Sequence, residues 1–129
     1  MSTVIYILAL IFVMFIGMQL LVRLRGRFQR GKSVPAIPGE IGERLRGKEK
    51  ILAYFYSPTC SACQVQEKHL EQVQTQFSNI IRINVAQHME IARVFGIMGT
   101  PTTIIIENQT ILHYFVGVAS PAKLLRALQ

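Results

Sequence analysis

The chain has 129 residues, a net charge of +7 and only two cysteines, Cys60 and Cys63. That length holds one domain. The excess charge is local: residues 23–50 carry nine Lys or Arg against three Glu, whereas residues 51–129 carry five against four. A nucleic-acid binder carries its basic footprint on the folded face, so this distribution excludes that class.

Val4–Val22 reads VIYILALIFVMFIGMQLLV, 19 residues without a charge and with Gln19 as the one strongly polar side chain. As a helix it spans roughly 28 Å, close to the hydrocarbon thickness of a bilayer. No basic residue precedes the run, no A-x-A pattern ends it, and arginines follow at once. Residues 1–22 are therefore expected to be an uncleaved transmembrane anchor rather than a signal peptide. The cluster Arg23, Arg25, Arg27, Arg30 and Lys32 lies where positive charge fixes topology and meets anionic headgroups. Positive charge on the C-terminal flank alone directs that flank, and the domain behind it, to the cytoplasmic side of a single-pass protein. The reverse topology, with the domain outside, runs against these charges. In a reducing compartment, two cysteines argue for catalysis, redox sensing or metal binding rather than for a structural disulfide.

Residues 23–50 are expected to be a basic juxtamembrane segment and linker. From Gly31 to Lys50 the prolines Pro35 and Pro38, four glycines and alternating charges leave little apolar material to bury, apart from a possible helical turn over Glu40–Leu45. The folded domain is expected over residues 51–129, about 80 residues, enough for one modest core.

Ile51–Tyr56 is a short apolar run suited to a strand buried on both faces. Ser57-Pro58-Thr59 breaks it, and a helix is predicted from about Cys60 to Phe77 with Val65, Leu70, Val73 and Phe77 on its apolar stripe. A second buried strand is predicted over Ile80–Val85, then a helix from Gln87 to Phe95 stopped by Gly96. Thr102–Glu107 is strongly β-forming, Asn108-Gln109 supplies a turn, and Ile111–Val116 is the hairpin partner. Ser120 and Pro121 give an N-cap and a first-turn proline to a last helix, Ala122–Leu128. The order β-α-β-α-β-β-α predicts an α/β layer, its first two strands parallel and its last two an antiparallel hairpin.

Both cysteines sit in Cys60-Ser61-Ala62-Cys63, where the first strand turns into a helix. At a helix N-terminus the free backbone N–H groups and the positive end of the macrodipole favour thiolate over thiol at Cys60. Cys63, three residues on, lies on the same face and can reach back. Such a pair can attack a substrate disulfide through Cys60 and release the mixed disulfide through Cys63. The rival chemistry is metal binding, which needs four protein ligands. His69, His88 and His113 do not fall at ligand spacing with the thiols or with each other, which leaves only a metal shared between two protomers.

From Ile51 to Leu128 the chain resembles the thioredoxin family. ILAYFYSPTCSAC is similar to that family's strand–turn–CxxC–helix, FGIMGTPTTIII to its second signature of a glycine turn and a proline heading a strand, and GVASPAKLLRAL to its closing turn and helix. The resemblance implies a thioredoxin-like fold and thiol–disulfide oxidoreductase activity on protein disulfides near the membrane. Cys60 would attack, Cys63 would resolve, and the two would form the redox-active disulfide. It implies a cis Thr100–Pro101 peptide against that pair, with Thr59, Gly99, Thr100, Pro101 and Gly117 bordering the substrate groove. The partners expected are protein thiols or disulfides; no cofactor-binding glycine motif is present, so electrons are expected from a separate donor, and a monomer with no cofactor or metal of its own is expected. The alternative is a thioredoxin-fold adaptor or redox sensor that binds a membrane partner without significant turnover. This chain departs from the family pattern at Thr59, where a Trp is typical, at Ser61-Ala62 in place of Gly-Pro, at Tyr54 in place of a buried acid, and at Arg82 in place of a lysine. The family's first strand and helix have no counterpart before Ile51 unless Glu40–Leu45 stands in for the helix.

Overall fold

The strands carry apolar residues at consecutive positions, and the fold uses both faces of each. In β1 (Ile51–Tyr56) the residues Ile51, Ala53 and Phe55 point into one core and Leu52 and Tyr54 into another on the opposite face. That division is the two-residue period of a strand applied to a run without polar interruptions. The computed structural model describes residues 1–129 except for the side-chain surroundings of positions 26 and 29.

In chain order, α1 (Ser2–Gln29) and α2 (Glu40–Leu45) precede β1, followed by α3 (Ser61–Gln74), β2 (Ile80–Asn84), α4 (Met89–Val94), β3 (Thr102–Glu107), β4 (Thr110–Val116) and α5 (Pro121–Leu128). The sheet order is β2-β1-β3-β4. β1 and β2 run parallel through the α3 crossover, with Ala53 opposite Ile81, whereas β1–β3 and β3–β4 are antiparallel. The β3–β4 turn is Asn108-Gln109, both with positive φ, 49° and 64°. This two-residue connection has the backbone sense that matches strand twist.

One core packs β-sheet residues Phe55, Ile83, Ile104 and Ile106 against Ile91 and Phe95, on the α4 face. The other packs Leu52, Tyr54 and Ile105 against Cys63, Leu70 and Val73 of α3 and Leu124 of α5. α5 begins as its sequence predicts: Ser120 caps it by accepting from the Lys123 N–H, and Pro121 occupies its first turn.

Two sequence expectations need correction. The segment 31–50 does bury apolar residues: Val34 and Leu45 are 4% and 0% exposed and belong to the α4-face core, where Ile37 and Ile41 also pack. Its first residues run antiparallel to β4. The Gly31 N–H donates to the Ile111 carbonyl (2.7 Å), Ile111 N–H to Lys32 carbonyl (2.9 Å), and Val34 N–H to Gln109 carbonyl (2.7 Å). This strap covers what would otherwise be an open sheet edge. The first helix also runs beyond the apolar stretch, to Gln29, and packs along β4. Residues Ser2–Arg25 are long and apolar enough to cross a membrane, and none of that span is buried against the rest of the chain.

Candidate active site

β1 ends at Tyr56, and the Ser57-Pro58-Thr59 turn delivers Cys60 as the N-cap of α3. The cap is made by sulfur: the Cys63 N–H donates to Cys60 Sγ at 3.2 Å. Cys60 Sγ also lies 3.5 Å from the Thr100 carbonyl oxygen, to which its thiol donates. The Thr100–Pro101 peptide is cis, and Pro101 is buried beside the pair. Cys60 is half-buried and Cys63 is 5% exposed; both are free thiols.

The two sulfurs differ in their electrostatics. A hydrogen bond from the Cys63 thiol holds the Cys60 thiol below its ordinary pKa; burial opposes this, and contacts with Thr100 and the Cys63 and Ala62 N–H groups add to it. Burial pushes the Cys63 thiol up, and its bond to Cys60 pushes it further. A nucleophile that is thiolate-prone, backed by a buried partner that keeps its proton, is the division of labour a two-step exchange needs.

The floor is uncharged. Tyr54, 1% exposed, donates from its hydroxyl to the Cys63 carbonyl at 2.9 Å, and burial drives its own pKa well above the ordinary phenol value. Arg82 does not approach the thiols as a charge; it pairs with Glu67 at 2.6 Å and with Gln74 at 3.2 Å. Across the sheet from Tyr54 is Thr103, whose buried hydroxyl has no partner among the described residues.

Of the residues predicted to border a groove, Thr100 meets Cys60 through its carbonyl, Pro101 follows across the cis peptide, and the Gly117 N–H donates to the Pro101 carbonyl at 2.8 Å. Gly117 has φ +86°, a conformation that favours glycine. Gly99 is exposed and accepts at its carbonyl from the Thr102 hydroxyl at 2.7 Å. The Thr59 side chain is exposed and turns to the Ser57 hydroxyl, 3.2 Å away.

Sequence reasoning missed two features. A depression of about 520 Å³ beside Thr100 is lined by Ser57, Val85, Met89, Ile97, Met98 and Gly99. Met89 and Met98 are exposed, and one methionine within the second signature and another six residues before it were the available signal. The other is Gln66, fully buried in α3, which donates to the Ala119 carbonyl (3.1 Å) and accepts from the Ala119 N–H (2.7 Å). This double bond ties the redox helix to the loop that carries Gly117, and His69 Nδ1 lies 3.1 Å from the same carbonyl.

A β-strand leading into a sulfur-capped helix, with a cis proline across from it, defines a thiol–disulfide exchange domain. The sequence model of the thioredoxin family matches residues 40–129, and the chain belongs to that family. Over 65 residues it is 42% identical to thioredoxin 2 of Plasmodium berghei, a match covering 48% of this chain and 41% of that protein. Over 52 residues it is 40% identical to the SPbeta prophage-derived thioredoxin-like protein YosR of Bacillus subtilis, covering 40% of this chain and 61% of that one. The chain thus spans between about two fifths and three fifths of the length of these relatives.

Two solved structures share the fold. One is thioredoxin-2, described as a component of malaria parasite protein secretion machinery (TM-score 0.59, 20% identity, 76% of this chain and 93% of that one). The other is mitochondrial thioredoxin 3 of Saccharomyces cerevisiae in its oxidized form (TM-score 0.58, 17% identity, 67% and 82%). Membership supports a thiol–disulfide redox role in general, with protein thiols as partners. The family match begins at residue 40, at the start of α2.

Proposed function

We propose that this chain is a membrane-anchored thiol–disulfide oxidoreductase that acts on protein disulfides close to the bilayer through Cys60 and Cys63. The observation that carries this reading is the sulfur cap: Cys60 Sγ takes the Cys63 N–H at 3.2 Å at the start of α3 while facing the Thr100 carbonyl beside the cis proline.

In the first step the Cys60 thiolate attacks a substrate disulfide. The Cys60–substrate S–S bond forms, the substrate's own S–S bond breaks, and one substrate sulfur leaves as a thiolate. In the second step Cys63, having lost its proton, attacks Cys60 Sγ. The Cys60–Cys63 bond forms, the mixed disulfide breaks, and the second substrate thiolate leaves. Two electrons pass to the substrate, and the protons of the two enzyme thiols end on the two substrate sulfurs. A protein dithiol or a small thiol must then reduce Cys60–Cys63. Tyr54 holds the Cys63 backbone but has no carboxylate with which to take its proton, so water serves as the acceptor for Cys63.

The groove beside the pair, with Thr59, Gly99, Thr100, Pro101 and Gly117 at its border and Met89 and Met98 on its wall, takes the residues flanking the substrate cysteine. Unbranched, polarizable methionines suit varied sequences there. Residues 1–22 form the anchor, Arg23 through Lys32 keep the following flank cytoplasmic, and residues 51–129, with the strap and α2 folded onto them, form the redox unit.

The test uses the full chain in native membranes. Cys63→Ser is expected to accumulate mixed disulfides that reductant releases, and Cys60→Ser to accumulate none. Reduction of insulin by the wild type, absent in both variants, completes the expected pattern. Binding of a membrane partner that survives both substitutions, without insulin turnover in the wild type, would favour the adaptor instead.

A further inference from the structure

We propose that the cleft between α1 and the β4–α5 face is a site for a single phosphate-bearing lipid headgroup. The proposal rests on the reading of α1 as a membrane-spanning helix. The cleft has a volume of about 320 Å³, and four cations line it: Arg23, Arg27 and Arg30 from the first helix and its C-cap, and Lys123 from α5. Its remaining wall includes Gln19, Val22, Val116 and Val118.

No acidic side chain lines it. All seven acidic residues of the chain are glutamates, at positions 40, 43, 49, 67, 71, 90 and 107. None of these lies on α1, on β4, on α5 or in the loop between the last two. Two of them are already paired, Glu67 with Arg82 and Glu107 with Lys50. Four like charges around one cleft repel each other, and a phosphate between them replaces that repulsion with charge-assisted hydrogen bonds, bidentate ones from arginine. Of these cations Arg30 also acts on His113: burial first, then the Arg30 charge and that of Lys50 outside the cleft, hold the His113 imidazole below its ordinary pKa.

The position fits a lipid in particular. Val22 ends the apolar run, so the cleft opens where hydrocarbon gives way to headgroups. Val116 and Val118 are each 45% exposed and offer apolar contact below the phosphate. The site is also narrower than the basic segment as a whole, because Arg25 and Lys32 line a different cleft with Arg93. The loop from Val116 to Ala119 walls the cleft on one side and reaches the redox site on the other, where Gly117 bonds Pro101 at 2.8 Å. A headgroup held here sets the redox pair at the membrane surface, facing cysteines of juxtamembrane segments.

The experiment is native mass spectrometry of the full chain in a non-ionic detergent with equal phosphatidylglycerol and phosphatidylcholine, and, in a separate arm, with inorganic phosphate. The wild type is expected to retain one phosphatidylglycerol in preference to phosphatidylcholine. Arg27→Gln with Lys123→Gln should weaken retention roughly 25-fold, about fivefold for each cation at a membrane surface. The charge-matched control, Arg25→Gln with Lys32→Gln, should leave it near the wild-type level. Equal losses in the two double variants would overturn the site, since diffuse charge would then suffice. Inorganic phosphate held at the same stoichiometry and not displaced by phosphatidylglycerol would overturn the lipid as its source. Carbonate extraction of membranes separates this from the anchor reading: a chain that stays in the membrane but shows no selective adduct sinks only the headgroup site.

Discussion

Cys60 and Cys63 have the same side chain and different surroundings, and the reaction depends on that difference. Cys60 Sγ caps the N-terminus of α3, accepting from the Cys63 N–H and donating to the Thr100 carbonyl; Cys63 sits in the core. Thiolate is the reactive form, so with its pKa lowered Cys60 reacts at lower pH than an ordinary thiol, whose midpoint is near ~8.5. The rate of its alkylation by iodoacetamide should therefore reach half-maximum below that value. The largest lowering influence is the Cys63 thiol, so Cys63→Ala should move the midpoint upward. A midpoint that does not move would remove Cys63 from the activation of Cys60. Gln66 makes a second residue-scale prediction. Its loss leaves the buried Ala119 N–H unpaired and the Ala119 carbonyl with His69 alone, so Gln66→Leu should cost about 1–3 kcal/mol, read as a lower Tm with loosened α3–α5 packing. The thiol pair was legible in the sequence because two cysteines at CxxC spacing stand where a buried strand gives way to a helix. Gln66 was not, because it is one of five glutamines between residues 64 and 76, and composition alone cannot say which of them turns inward.

The strands and α5 could be read from their local patterns. β1 is an uninterrupted apolar run and β3 has Ile104-Ile105-Ile106 at its centre because each feeds two cores, and Asn108-Gln109 announces its turn through residue type. Helix ends were harder: α3 stops at Gln74, before Phe77, where the last turn tightens and the Gln76 and Phe77 N–H groups share the Val73 carbonyl, at 3.0 and 2.9 Å. The strap and α2 were obscured by their composition. Val34, Ile37, Ile41 and Leu45 stand singly among prolines, glycines and charges, and their partners are far away in sequence. The four-residue spacing of Ile37, Ile41 and Leu45 was the remaining trace of a buried face. Since Leu45 is fully buried, Leu45→Ala should destabilise the domain by about 2–5 kcal/mol, measured by chemical denaturation of the detergent-solubilised chain. A fragment beginning at Lys48 loses Leu45, Val34 and the strap's hydrogen bonds together and should melt well below one beginning at Gly31. Equal melting temperatures would mean that residues 31–47 add nothing to the fold.

At the scale of the whole molecule, one loop links the apolar first helix to the thiol pair. Residues 116–119 lie beside α1, accept the clamp of Gln66 and bond to the cis proline, so the first helix and the thiol pair are parts of one arrangement. The apolar stretch of α1 was legible from hydropathy; its continuation to Gln29 and its packing along β4 were not, since neither partner carries a pattern that names the other. For a cytoplasmic domain, a membrane-impermeant maleimide should label Cys60 only after the cells are opened. Labelling of intact cells would reverse the topology drawn from the flanking charges. The most direct trial of the central claim is a redox titration of the full chain against reduced and oxidised glutathione, quenched by alkylation and read by mass. As the buffer becomes more oxidising, the wild type should pass from two alkylated thiols to none, losing two hydrogens without gaining glutathione, and should return when reductant is restored. Two cysteines that stay independently alkylatable across the titration, or that each end capped by glutathione, would contradict the account.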